Sequence, residues 1–209
     1  MFKKLPRSFY LRPTLTVAKD LLGKYFCRRI DRQLLIGKIV EVEAYLGETD
    51  PASHAYRGQT IRNEVMFWEG GHLYVYFTYG MHFCANVVTE EKGKGRAILL
   101  RAVEPIKGIK LMCRNRGFTT DGTPARRSPP LRTAGGDYRM LANGPAKLCD
   151  AFGIKKAQNG TDLLGDEIYI ANGETIPESK IISTIRIGVK NGSDKKWRFY
   201  IEGNRWVST

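Results

Sequence analysis

"GKIVEVEAYLG", residues 37–47, is the stretch on which the reading of the fold turns. A period of two runs through it. Lys38, Val40, Val42 and Ala44 point one way, and Gly37, Ile39, Glu41, Glu43 and Tyr45 point the other. That pattern is a strand, and its β-branched residues suit a buried one. Glu43 and Tyr45 then lie side by side at the end of a strand that otherwise looks buried. A carboxylate in such a place costs free energy unless it is paired or used. Two readings stay open: a general base that titrates upward, or a strand-end glutamate in a surface ion pair.

The neighbouring segments read as more strands. "KYFCRRI" precedes the central run and joins it through a turn at Asp31-Arg32-Gln33. "AILLRAVE" is a buried strand that Pro105 is expected to end. Strand-like runs near 166–171, 181–189 and 197–202 follow. Two helices punctuate them. Residues 14–22 have Thr14 available as a cap, an apolar face of Leu15, Ala18 and Leu22, and Gly23 as a stop. "NGPAKLCDAFGI" has Pro145 at the first helical position and Gly153 just past the end. Residues 46–72 form a long loop rich in Gly, Asp, Asn and Ser, of a kind that is commonly functional. Residues 116–137 are Gly/Pro-rich, basic and aperiodic, and are expected to be a mobile loop. A chain of 209 residues, 42% hydrophobic, is expected to form one mixed α/β domain over 1–209.

Charge narrows the partners. Lys+Arg 34 against Asp+Glu 21 gives a formal net charge of +13. Residues 1–32 carry nine basic side chains against Asp20 and Asp31, and residues 107–139 carry eight against Asp121 and Asp137. Such an excess is the footprint of a polyanion, usually nucleic acid; a merely basic surface is the competing reading. No secretory signal or membrane span is read in the chain, so a cytoplasmic, soluble location is expected. Cysteines 27, 84, 113 and 149 have no paired spacing, and three are flanked by apolar residues, which points to reduced, buried thiols. His54, His72 and His82 lack metal-ligand spacing, and no HxE with PCxxC is present, so neither a metal nor a zinc deaminase is indicated.

"LYVYFTYGMHFCANVV", residues 73–88, is a hairpin with a core face of Val75, Phe77, Phe83, Ala85 and Val87. Its other face holds Tyr74, Tyr76, Thr78, His82, Cys84 and Asn86, so Tyr76 and Asn86 can share a cavity. Tyr79 and Met81 sit at the reversal. They suit a wedge between stacked bases, or a hairpin tip packed inside the domain. Arg101 is buried in an apolar run and needs an acceptor: Glu43 or a bound water, or a structural pair with Glu104 or Glu41.

Together with "GKIVEVEAYLGETDPASHAYRGQTIRNEVMF", "AILLRAVEP", "IRIGVK" and "RFYIEGNRWVS", these segments resemble the alkyladenine (3-methyladenine) DNA glycosylase family, in its order and from about residue 14 to 209. The resemblance implies a curved antiparallel sheet with flanking helices and a protruding hairpin that inserts into DNA. It implies a cofactor-free, monofunctional enzyme that flips a damaged purine from duplex DNA and leaves an abasic site. The lesions implied are 3-methyladenine and 7-methylguanine, with hypoxanthine and etheno purines as further candidates. Glu43 matches the base that activates water, with Arg101 and the main-chain carbonyl of Ile187 positioning it. Tyr45, His54 and Tyr76 match the base sandwich, and Asn86 the screen against guanine. Tyr79 and Met81 match the intercalating tip, and Thr60, Arg62 and Lys147 the phosphate contacts. Ile61 stands where proline is common, and His82 where an aromatic often follows Gly-Met. A monomer is expected. The rivals are a non-catalytic nucleic-acid-binding module and an enzyme that modifies RNA bases.

Overall fold

The computed structural model describes residues 3–78, 80–118 and 138–208. Its spine is one fourteen-residue strand, Gln33–Leu46, which takes in all but the last residue of the quoted stretch. In chain order the strands are β1 (Tyr25–Ile30), β2 (Gln33–Leu46), β3 (Leu73–Thr78), β4 (His82–Thr89), β5 (Arg96–Lys107), β6 (Ile168–Ala171), β7 (Ile181–Thr184) and β8 (Arg198–Ile201). They hydrogen-bond in the order β3-β4-β5-β2-β1-β6, every ladder antiparallel. β5 lies along one edge of β2. β1 pairs with β2 over Gln33–Lys38, and β8 takes over at Glu41–Glu43, with β7 beyond it. The long strand thus carries two short partners in succession.

The β1–β2 turn is tighter than expected. Gln33 already pairs with Ile30, and Asp31 takes φ 51°, which a short aspartate side chain tolerates in a two-residue hairpin. β5 does not end at Pro105. It continues to Lys107, and the ladder skips a position where Pro105 pairs with Gly37 and Lys107 with Ile36. An irregularity of this kind accommodates a residue that cannot donate.

Among the described residues four α-helices are formed: α1 (Arg7–Tyr10), α2 (Thr14–Leu21), α3 (Ile109–Asn115) and α4 (Pro145–Ala151). α2 and α4 follow the expectation, with Gly23 and Gly153 in the left-handed region just beyond them. The cap of α2 differs. Thr14 is its first helical residue, and the acceptor for its N–H is Glu90 Oε1, at 2.9 Å. Val17, Ala18 and Leu21 form the buried face of α2. α1 and α3, one and two turns long, were not foreseen.

The main core joins α2, α3 and α4 to one face of the sheet, through Leu35, Ile39, Val42 and Ala44 of β2 and Ile98, Leu100 and Val103 of β5. The parity of those positions changes from odd to even along β2. The cause is a pair of register shifts flanking Glu41, which pairs with Ala102 while Ile39 pairs with Val103 and Val42 with Leu100. A one-residue change of phase sends every later side chain to the opposite face. Gly37 and Ile39 therefore do not share a face with Glu41, Glu43 and Tyr45, contrary to uninterrupted alternation. Gly37 belongs to the core side as well: a Cβ there would lie 2.6 Å from Val103 Cγ2 and 3.1 Å from Phe152.

The opposite face is covered in part by the 46–72 segment. Ala55, Val65, Met66 and Phe67 pack there against Tyr74, Val88 and Ala97. All four cysteines are buried and outside any disulfide. Among the described residues no helix is long and apolar enough to cross a membrane. Most of the 116–137 loop lies outside the described residues.

Candidate active site

Because the phase change falls at Glu41, the last third of β2 delivers two carboxylates and a phenol to the side away from the main core. Glu43 is fully buried. Its Oε1 accepts the main-chain N–H of Ile187 at 2.8 Å and lies 3.1 Å from Arg101 Nη1. Its Oε2 accepts the Tyr45 hydroxyl at 2.8 Å. A carboxylate has about four lone-pair directions. The Ile187 amide and Arg101 both meet Oε1, Oε2 holds the Tyr45 hydroxyl, and Glu43 itself lines the cavity. The surface ion pair considered for Glu43 is excluded by its burial.

Arg101 serves both carboxylates. Its Nε donates to Glu41 Oε1 at 2.9 Å while Nη1 approaches Glu43. Glu104 is not its partner; that side chain pairs with Lys38. Glu41 is fully buried too and accepts from Arg198 Nε at 2.6 Å and from the Ser208 N–H at 2.6 Å. Two carboxylates and two guanidiniums thus compensate one another away from water, which a buried cluster requires.

The cavity above Glu43 has a volume of about 380 Å³. Tyr45, His54, Tyr76, Asn86, Arg101 and Ile187, named from the sequence, all line it. It also takes in Tyr74, Thr78 and Cys84 of the hairpin, as alternation predicts; His82, opposite Thr78, is not part of the lining. Phe77 leaves the core face, being 49% exposed, and its ring meets Phe83 at 5.1 Å. The Tyr76 ring stacks on Tyr74 at 5.5 Å and meets His54 in a T-shaped contact at 4.4 Å. His54 Nδ1 is 3.1 Å from the Tyr74 hydroxyl. Asn86 Nδ2 donates to the Tyr74 carbonyl at 3.2 Å.

The titrating groups of this wall are held neutral. Burial, then the Glu43 charge and hydrogen bond, push the Tyr45 phenol well up. Burial does the same to Tyr76, helped by Cys84, and pushes Tyr74 up to about 12. His54 is open at the cavity mouth but walled by protein behind. Its pKa is lowered by burial and secondarily by Arg62. A neutral imidazole and neutral phenols offer flat, polarisable surfaces with hydrogen-bonding edges.

One supporting pair was not read from the sequence. Arg186 and Asp50 form a fully buried ion pair, with Nη1 2.6 Å from Oδ2 and Nη2 2.8 Å from Oδ1. The same guanidinium lies 4.7 Å from the Tyr45 ring centroid and 5.1 Å from that of Trp197. It pulls the chain inward after β7 ends at Thr184, and Ile187 follows into the site. This is why the expected 181–189 strand stops early. An arginine between two isoleucines in "IRIGV" was the available signal.

The remaining predicted residues lie outside the cavity. Thr60 and Arg62 are exposed on the covering segment, where Arg62 Nη2 donates to the Phe77 carbonyl at 3.2 Å. Lys147 is half-buried on α4, 3.0 Å from Asn143 Oδ1, and its pKa is lowered by burial and by Arg116. Met81 is 69% exposed at the hairpin reversal. Tyr79 lies outside the described residues.

The sequence profile of the methylpurine-DNA glycosylase family matches residues 8–205. A Carboxydothermus hydrogenoformans protein, provisionally named a 3-methyladenine DNA glycosylase, is 50% identical over 205 residues, 98% of each chain. Proteins of the same provisional name from Methanoculleus marisnigri and Chlorobaculum tepidum are 45% and 43% identical. The alignments cover 98% of both chains in the first case, and 99% of this chain and 91% of the relative in the second.

Proposed function

The chain belongs to the methylpurine-DNA glycosylase family, and from that premise we propose that it hydrolyses the N-glycosyl bond of alkylated purines flipped out of duplex DNA. The observation that carries this reading is Glu43: a buried carboxylate, fixed by three contacts, that lines an aromatic cavity. Depurination passes through an oxocarbenium-like sugar, so one carboxylate beside a water can stabilise the developing charge and take the proton. Glu43 is the base in this proposal. Arg101 and the Ile187 carbonyl hold the water with it.

Tyr45, His54 and Tyr76 would sandwich the purine, recovering on the order of 1–3 kcal/mol per stacked base against the cost of flipping. Asn86 would screen against the exocyclic amine of guanine. Tyr79 and Met81 would fill the gap left in the helix, while Thr60, Arg62 and Lys147 meet phosphates, which the net charge of +13 favours. Cationic 3-methyladenine and 7-methylguanine are good leaving groups and are the first expected substrates. Hypoxanthine and ethenoadenine need a proton or hydrogen bond to the leaving base. We take the enzyme to act as a monomer on DNA in the cytoplasm.

Single-turnover excision tests the proposal. Glu43→Gln is expected to abolish release of methylpurines from methylated duplex DNA while duplex binding survives. Full activity in that variant would remove Glu43 as the base. A panel of duplexes bearing the four lesions then sets the range.

A further inference from the structure

Every polar atom of Ser208 is used, and two of its three partners, Glu41 and Arg101, lie more than a hundred residues away. Its N–H donates to Glu41 Oε2 at 2.6 Å, and its carbonyl accepts from Arg198 Nη2 at 3.2 Å. Its hydroxyl lies 2.8 Å from Glu41 Oε1 and 3.1 Å from Arg101 Nη2. A guanidinium can only donate. The hydroxyl must therefore accept from Arg101 and give its own proton to Glu41, so its orientation is fixed. Ser208 is only 7% exposed.

The result is that each nitrogen of Arg101 has its own partner. Nε goes to Glu41, Nη2 to Ser208, and Nη1 alone is left for Glu43. This matters because guanidinium and carboxylate prefer a two-pronged fork. An Arg101 free to turn would bring two nitrogens to Glu43 and cover both of its oxygens. Oε2 already carries the Tyr45 hydroxyl, so a fork would take up the acceptor capacity it has left. Glu41 counters this by drawing Nε away. Arg198 and the Ser208 N–H in turn satisfy the rest of Glu41.

We propose that Ser208, acting with Glu41, is a positioning residue that holds Arg101 to a single contact with Glu43 and so keeps Glu43 Oε2 open to the attacking water. The inference rests on the glycosylase reading above. It adds to that reading a role for a residue outside the cavity, at the end of the described chain. Ser208 touches no substrate; it works through Arg101.

The test uses duplex DNA methylated with dimethyl sulfate, which carries 3-methyladenine and 7-methylguanine, with enzyme in excess. Ser208→Ala is expected to slow base release about tenfold, because small misplacements of a positioned group carry costs of this order or more. Duplex affinity is expected to stay at the wild-type value, while the melting temperature falls by a few degrees because a buried hydrogen-bonding partner of two charged groups is lost. Ser208→Thr retains both the N–H and the hydroxyl and should restore the rate. Glu41→Gln, which removes the charge that draws Nε away, should lose more than Ser208→Ala. Wild-type rates in Ser208→Ala would overturn the proposal. So would equal losses in the Ala and Thr variants with a lowered melting temperature, since packing would then be the cause. If the wild-type protein released no methylpurine, the glycosylase reading itself would fall, whatever Ser208 does.

Discussion

The main-chain N–H of Ile187 donates to Glu43 Oε1 at 2.8 Å, across a separation of 144 residues. A backbone donor has no rotamers to lose, so it fixes the carboxylate more tightly than a long side chain could. It also ties the end of β2 to the segment after β7, two parts of the chain that share no ladder of their own. The sequence resemblance implied a role for the Ile187 carbonyl. The amide has a second one.

Ile187→Pro removes that donor and leaves an apolar side chain in place. Base release under single-turnover conditions should fall at least tenfold more than in Ile187→Ala, which keeps the N–H. Equal rates in the two variants would show that the amide does not matter to catalysis.

Asp50→Ala leaves the buried Arg186 guanidinium without its carboxylate. Breaking a buried pair on one side costs about 3–5 kcal/mol. For a chain of this size that corresponds to a fall in melting temperature of roughly 6–20 °C. Replacing both residues, as Asp50→Ala with Arg186→Met, should recover part of the loss, because no unpaired charge remains. A melting temperature unchanged in Asp50→Ala would mean that water reaches the pair.

These two residues mark where reading the sequence stopped. Strands, the helices α2 and α4 and the hairpin follow from local signals: alternation in residues 73–88, Pro145 and Gly153 around α4, Gly23 after α2. The cavity lining was legible for the same reason, since Tyr76, Cys84 and Asn86 fall on one parity of one hairpin. Glu41 was different. Simple alternation gave it the right neighbours on one side and the wrong ones on the other, because a register shift has no composition of its own. The pairs Asp50–Arg186 and Glu41–Ser208 join residues more than a hundred positions apart, and no local pattern reports them. The catalytic assignment of Glu43 came from resemblance. Its burial and its contacts now give that assignment a physical basis to test.

Stability should depend on pH through His54. Burial lowers its pKa in the folded protein, so the unfolded chain binds its proton more readily, with a pKa of about 6.5. The contribution of neutral His54 is complete above about pH 6.5 and is lost as the pH falls through the lowered folded value. Unfolding midpoints measured between pH 8 and pH 5 should decline, and His54→Phe should flatten that part of the decline. An identical pH dependence in the variant would assign the decline to other groups.

Arg62 and Lys147 should act on binding rather than on chemistry. Each phosphate contact contributes about −0.9 to the slope of log K against log salt concentration. Removing both, as Arg62→Ala with Lys147→Ala, should make the slope less steep by about 1.8. Saturating enzyme should still release methylpurines at close to the wild-type rate. A slope that does not change would place the phosphates elsewhere on the basic surface.

Met81 tests the hairpin tip separately from the fold. It is 69% exposed, and Gly80 beside it takes φ 67° with nothing within 4 Å of where a Cβ would stand, so Met81 and Gly80 stand open to solvent. A truncation there should be silent in the free protein, since exposed substitutions usually change stability by less than about 0.5 kcal/mol. On DNA the same truncation removes apolar surface that would wedge between bases, where unstacking costs a few kcal/mol per step. Met81→Ala should therefore leave the melting temperature unchanged and lower the fraction of lesion held extrahelical, read as fluorescence of a 2-aminopurine placed beside the lesion. A large drop in melting temperature would instead make Met81 part of the protein's own packing. Unchanged fluorescence with normal excision would remove it from the flipping step.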